Sequence, residues 1–172
     1  VKLDANLDVR RVSADEAEAL WKLRHEALER EPFSFSESVD EFRGKTVEEY
    51  REQLCTREDN YVVGAFDGIN LVAMAGFYRE LREKRCHKGH IWGVYVSKEH
   101  RGKGVARMVL MKLLDNARAL PGLERVLLTV TSPQQQARHL YLSLGFRSFG
   151  VEPKALQVNG CYVDEEYMIL DL

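Results

Sequence analysis

Little in this chain marks a specialised environment. Cysteine is scarce: Cys55, Cys86 and Cys161 are odd in number and far apart. That excludes a disulfide framework as the basis of the fold, and a reducing, cytoplasmic setting is expected. Neither sign of charge dominates. With 25 Lys and Arg against 27 Asp and Glu, the net charge is -2. This gives no footprint for nucleic acid. No apolar run is long enough to cross a bilayer, so no membrane partner is expected. Val1 to Arg11 is mixed and charged and does not read as a signal peptide. Cys86-His87-x-x-His90 lacks the second ligand pair that a structural zinc site needs, so no metal is expected. Repeats, low-complexity tracts and linkers are missing as well. A chain of 172 residues then suits one domain, 1–172, with a full core.

What is present centres on His90 to Ala106. Ile91 to Val96 is apolar and β-branched and predicts a buried strand. A polar loop follows, ending in Arg101-Gly102-Lys103-Gly104, and Val105 to Leu120 has helical periodicity. A strand feeding a glycine loop that opens a helix is anion-binding geometry. The first helical amides have no intrahelical partner, and the helix dipole favours negative charge there. Gly102 and Gly104 let a phosphate approach the backbone, and Arg101 and Lys103 add positive charge. The ligand is not that of a P-loop, because no Gly-x-x-x-x-Gly-Lys-Ser/Thr is present. Nor does a dinucleotide fingerprint fit, since Arg107 stands where the third glycine belongs.

The rest of the chain alternates strand and helix signals. Asp8 to Val12 predicts a short strand. Ser13 with Glu16, and Thr46 with Glu49, are capping boxes that open helices from about Ala14 to Arg30 and from Val47. Phe33 to Ser38 reads as a loop. Tyr61 to Phe66 and Leu71 to Tyr78 pair through Asp67-Gly68, and Arg79 to Gly89 reads as a charged, solvated connection. In the helix after the glycine loop, Ala106, Leu110, Leu113, Ala117 and Leu120 share a face. Arg125 to Thr131 is continuously apolar and predicts a strand buried on both faces. A helix follows Pro133, then a strand from Phe146 to Val151, a loop from Glu152 to Asn159, and a last strand from Tyr162 to Leu172. The expected class is mixed α/β, with a mostly antiparallel sheet of six or seven strands flanked by about four helices.

Two stretches carry a family resemblance. Arg101 to Ala106, Arg-x-x-Gly-x-Ala, resembles the pyrophosphate-binding motif of GNAT-type N-acetyltransferases. About thirty residues on, Gln134, Ala137, Tyr141, Gly145 and Phe146 resemble the family's Asn-x-x-Ala-x-x-x-Tyr-x-x-x-Gly-Phe, with Gln in place of Asn. The likeness covers roughly residues 60 to 172 well and the earlier part in layout only. It implies the GNAT fold, with a sheet splayed in the middle, and acetyl-CoA as acetyl donor. It also implies transfer to the primary amine of a small molecule or a protein by direct attack in a ternary complex, in a monomer or homodimer. A non-catalytic acetyl-CoA sensor of the same fold is the alternative.

The resemblance also assigns roles. Arg101, Gly102, Lys103, Gly104, Val105 and Ala106 are expected to hold the diphosphate, and Gln134 to sit near the pantetheine arm. A main-chain amide near Val94, Tyr95 or Val96 would stabilise the thioester oxygen, on a strand whose Gly93 suits a bulge. Tyr141 is the expected acid, because a phenol of pKa ~10 lies close to a thiol of ~8.5. His90, eleven residues before Arg101, is the expected base, with Glu80, Glu83 and His87 as fallbacks. Phe33 and Phe35 are expected to line the acceptor pocket.

Overall fold

The apolar runs pair into one seven-stranded sheet in this computed structural model, which describes residues 7–55 and 57–172. The strands are β1 (Asp8–Arg11), β2 (Asn60–Asp67), β3 (Asn70–Arg79), β4 (Lys88–Val96), β5 (Arg125–Thr131), β6 (Arg147–Val158) and β7 (Cys161–Asp171). Their order is β1-β2-β3-β4-β5-β7-β6, and every neighbouring pair is antiparallel except β4 with β5. The helices are α1 (Ala17–Arg30), α2 (Val39–Phe42), α3 (Val47–Cys55), α4 (Val105–Arg118) and α5 (Gln135–Ser143).

Two cores lie on opposite faces of the sheet. Leu20, Leu23, Ala27 and Leu28 of α1 pack with Phe42, Tyr50, Val62 and Met74. Val109, Leu110, Leu113 and Leu114 of α4 pack with Val63, Ala65, Ala75 and Phe77. Alternate residues of β2 and β3 feed the two cores, so both strands are buried almost end to end. The helix starts follow from the capping boxes. The carboxylate of Glu16 accepts from the Ser13 amide at 2.8 Å, and Glu49 does the same for Thr46 at 2.5 Å.

Several expectations are corrected. The four expected helices are present, and a further capping box, Ser38 with Glu41, adds the single turn α2 just after the predicted loop. The buried face of α4 runs through Val105, Val109, Leu110, Leu113, Leu114 and Ala117. Ala106 is turned to a cavity instead, and Leu120 is only half-buried. Strand β5 is not buried on both faces. Val126, Leu128 and Val130 are buried, while Arg125 and Leu127 on the other face are half-buried and Thr129 is exposed, and only Thr131 is buried there. The loop expected from Glu152 to Asn159 is largely strand, with β6 bulged between Glu152 and Leu156 and running on to Val158. The hairpin turn then falls on Asn159 and Gly160, at φ +51° and +79°. The charged connection is shorter than expected, since β3 reaches Arg79 and β4 begins at Lys88.

The feature that positions the site is the middle of β4. Trp92 pairs with Gly76 and Tyr95 with Met74, so Gly93 and Val94 together oppose Ala75. This is a bulge with Gly93 in the left-handed region at φ +62°. Pairing with β5 stops at His90 with Leu127. From Ile91 onward, the edge of β4 facing β5 has no strand partner, and the sheet opens there.

Candidate active site

Two adjoining cavities occupy the opening. The outer one, about 690 Å³, is walled by Val94 to Val96, by Arg101, Gly102 and Gly104 of the glycine loop, by the first residues of α4, and by Ala137, Leu140 and Tyr141 of α5. The inner one, about 180 Å³, is walled by Arg24, Phe35, Trp92, Gly93, Thr131 and Glu165 among others. Ser34, Phe35, Val94, Gln134, Ala137 and Tyr141 line both.

The outer cavity suits a diphosphate at one end. Gly104 is the N-cap of the 14-residue α4, at φ +80°, and offers no side chain to its amides. The first intrahelical bond from this end is Met108 N–H to Gly104 O at 3.1 Å. The amides of Val105, Ala106 and Arg107 are therefore unclaimed by the helix. Gly102, at φ +74°, has nothing within 4 Å of where a Cβ would stand. Arg101 is tied to the protein: its Nε donates to Val96 O at 2.9 Å and its Nη1 to Glu31 at 2.8 Å. These two bonds pin the glycine loop to the end of β4 and to Glu31, while Arg101 still lines the cavity. Arg107 also lines the cavity, and its guanidinium donates to Ser143 Oγ at 2.8 Å. Lys103 is absent from the lining of either cavity.

Tyr141 stands where the cavities meet. Its ring packs edge-to-face on Phe146, with centroids 6.0 Å apart. Burial alone pushes the phenol well above its usual pKa, so it is protonated at any working pH.

A sequence model of the Acetyltransferase (GNAT) family matches residues 20–146. The chain belongs to that family. It is 25% identical over 140 residues to the spermidine N(1)-acetyltransferase of Vibrio cholerae, covering 81% of this chain and 75% of that protein. The fold is similar to that of a GNAT acetyltransferase from Streptococcus pneumoniae, with TM-score 0.86, 23% identity, and 96% and 99% of the two chains covered. It is also similar to yncA, a putative acetyltransferase from Salmonella typhimurium solved with its cofactor acetyl-CoA. There the TM-score is 0.84 and the identity 20%, over 96% and 94% of the chains. The GNAT family uses acetyl-CoA, and this chain is an acetyl-CoA-dependent acyltransferase by membership.

Of the residues singled out from the sequence, the GNAT structure gathers Val94, Tyr95, Val96, Arg101, Gly102, Gly104, Val105, Ala106, Gln134 and Tyr141 around the outer cavity. The Tyr95 side chain faces α1, where its hydroxyl donates to Glu26 at 2.9 Å, so its main chain meets the cavity. Gln134 reaches across and donates to Ser34 Oγ at 2.6 Å. Of the two phenylalanines, Phe35 lines both cavities and Phe33 neither. His90 lines neither cavity. It stacks on Tyr78 at 5.0 Å and its Nε2 lies 3.1 Å from Glu80, which also pairs with Arg85. Burial lowers its pKa, partly offset by Glu80. Arg24, Trp92 and Glu165 were missed. Burial raises the Glu165 carboxyl above the usual carboxylate range, against a hydrogen bond from Thr129 Oγ1 at 3.4 Å.

Proposed function

We propose that this acetyltransferase moves the acetyl group of acetyl-CoA to a primary amine by direct attack, with both substrates bound together. The supporting observation is the shared wall. Val94, Gln134, Ala137 and Tyr141 border both cavities, so a donor in the outer one and an amine in the inner one would meet there. Acetyl-CoA supplies an activated acyl group on a good leaving thiolate. The chain supplies the rest. The amides at the head of α4, with Gly102 and Gly104, hold the diphosphate. An amide of the bulged segment Val94 to Val96 donates to the oxygen on which charge gathers. Tyr141 donates its phenolic hydrogen toward the departing sulfur.

The amine arrives as a cation and must lose a proton. Glu165 is a carboxylate on the inner wall and takes that proton. His90 lines neither cavity and faces Glu80 and Tyr78, so it has no part in this step. A base works only when ionised, so activity should fall as pH drops through the raised pKa of Glu165. Replacing Glu165 with Gln should lower kcat/KM by about 10²-fold and flatten that acid limb. His90→Gln should have a smaller effect. A Glu165→Gln enzyme with the wild-type pH profile would remove Glu165 from proton transfer.

The reading as a whole is tested by thiol release from acetyl-CoA with polyamines, amino acids, aminoglycosides and peptides with free N-termini. At least one class should drive release above the acceptor-free rate. Tight acetyl-CoA binding with no release in any arm would leave a sensor in place of an enzyme.

A further inference from the structure

We propose that the inner cavity selects an amine that also carries a carboxylate, an amino acid being the simplest case, and that Arg24 binds that carboxylate. This rests on the acetyltransferase reading above and names its acceptor class. Arg24 sits on the apolar stripe of α1 between Leu20 and Leu28, and only 7% of its side chain is exposed. Its Nη2 pairs with Glu37 at 3.1 Å, but Glu37 also receives the ammonium of Lys45. One carboxylate thus serves two cations, which leaves positive charge uncompensated beside the cavity. Nε and Nη1 of Arg24 are buried and have no hydrogen-bond partner among the described residues. The neighbouring Tyr50 hydroxyl offers the guanidinium a dipole, not a charge. A desolvated guanidinium with unmet donors is unfavourable, and a helix needing only a core filler is better served by Leu or Met.

The group is also aimed and held. Nη1 lies 3.5 Å from where a Cβ on Gly93 would be, beside the β4 bulge. The guanidinium carbon is 4.5 Å from the centroid of Phe35 and 5.8 Å from that of Trp92, so two aromatic faces fix its position. Arg24 and Glu165 line the same cavity from different elements, α1 and β7. A cation with open donors and a carboxylate in one small space suit a zwitterion. The acceptor's carboxylate meets Arg24 in charge-assisted hydrogen bonds, and its ammonium faces Glu165 before losing its proton. A polyamine would instead bring a second ammonium toward Arg24, with no charge to satisfy it.

The test compares matched acceptors at saturating acetyl-CoA, by thiol release. The series are L-methionine, L-methioninamide and 3-(methylthio)propylamine, then L-phenylalanine, its amide and phenethylamine, with spermidine alongside. In at least one series the free acid should exceed the amide and the decarboxylated amine in kcat/KM by about 10-fold or more. Arg24→Met should bring the acid-to-amide ratio toward unity whatever its absolute rate, and Arg24→Lys should retain part of the preference. If Arg24→Met fails to fold, as judged by thermal melting, the wild-type ratio and Arg24→Lys decide. Acids no better than amides in every series, or a ratio unchanged by Arg24→Met, would overturn the assignment while leaving the transferase reading intact. Absence of release with every amine would overturn both.

Discussion

Replacing Tyr141 with phenylalanine should lower kcat by about 10²-fold while leaving the affinity for acetyl-CoA within about twofold. The phenol is expected to act on the sulfur only as the carbon–sulfur bond breaks, so its loss falls on the transition state and not on binding. The ring stays, and its packing on Phe146 stays with it, so the melting temperature should hardly move. The size of the effect follows from burial. Because the cavity raises the phenol's pKa, the gap to the leaving thiol is wider than for free tyrosine, and full proton transfer lags behind bond breaking. A hydrogen bond to nascent thiolate in a water-poor site still outweighs what solvent would offer. That puts the expectation at the lower end of the usual range for acid catalysis. Steady-state kinetics with calorimetry for acetyl-CoA separates the parts. A Tyr141→Phe enzyme of unchanged kcat would take Tyr141 out of the mechanism, and a large loss of affinity would make it a binding residue.

A negative charge at Gly102 should weaken acetyl-CoA binding by about 5- to 10³-fold. At about 4 Å from a phosphate, a carboxylate costs about 1 kcal/mol in bulk water and about 4 kcal/mol at the effective dielectric near a protein surface. Gly102 is well placed for the test, because its Cβ position is open and Asp tolerates the left-handed backbone better than most residues. Gly102→Asn makes the same backbone demand without the charge and should change affinity only a few-fold. The gap between the two variants should narrow as salt is raised. Equal affinities for Asp and Asn in titration calorimetry would place the diphosphate away from the glycine loop.

The outer cavity was legible because its parts are consecutive in sequence. A strand, two glycines and a helix start fix where amides point, with no knowledge of the remaining chain. The bulge was signalled by Gly93 alone. The inner cavity was not legible, because its walls come from α1, β4, β5 and β7 and meet only through long-range pairing. Glu165 becomes visible only once β7 is in register with Thr131 of β5. The bond from Gln134 to Ser34 joins residues 100 apart in sequence. Loop residues have no periodicity, so nothing distinguished Phe33 from Phe35. Arg24 did carry a signal. It lies four residues after Leu20 and four before Leu28, so helical spacing puts a charge on the apolar stripe. A cation at such a position has to be paired, as this one partly is by Glu37, or waiting for something.

The short parallel ladder has one more consequence. β4 and β5 share only the pairs from Lys88 with Arg125 to His90 with Leu127, so the two halves of the sheet are fastened at one end of their seam. Whatever fills the open end acts as a second clasp between them. Melting temperature and occupancy are thereby linked, and the molecule should gain firmness with each ligand it takes up.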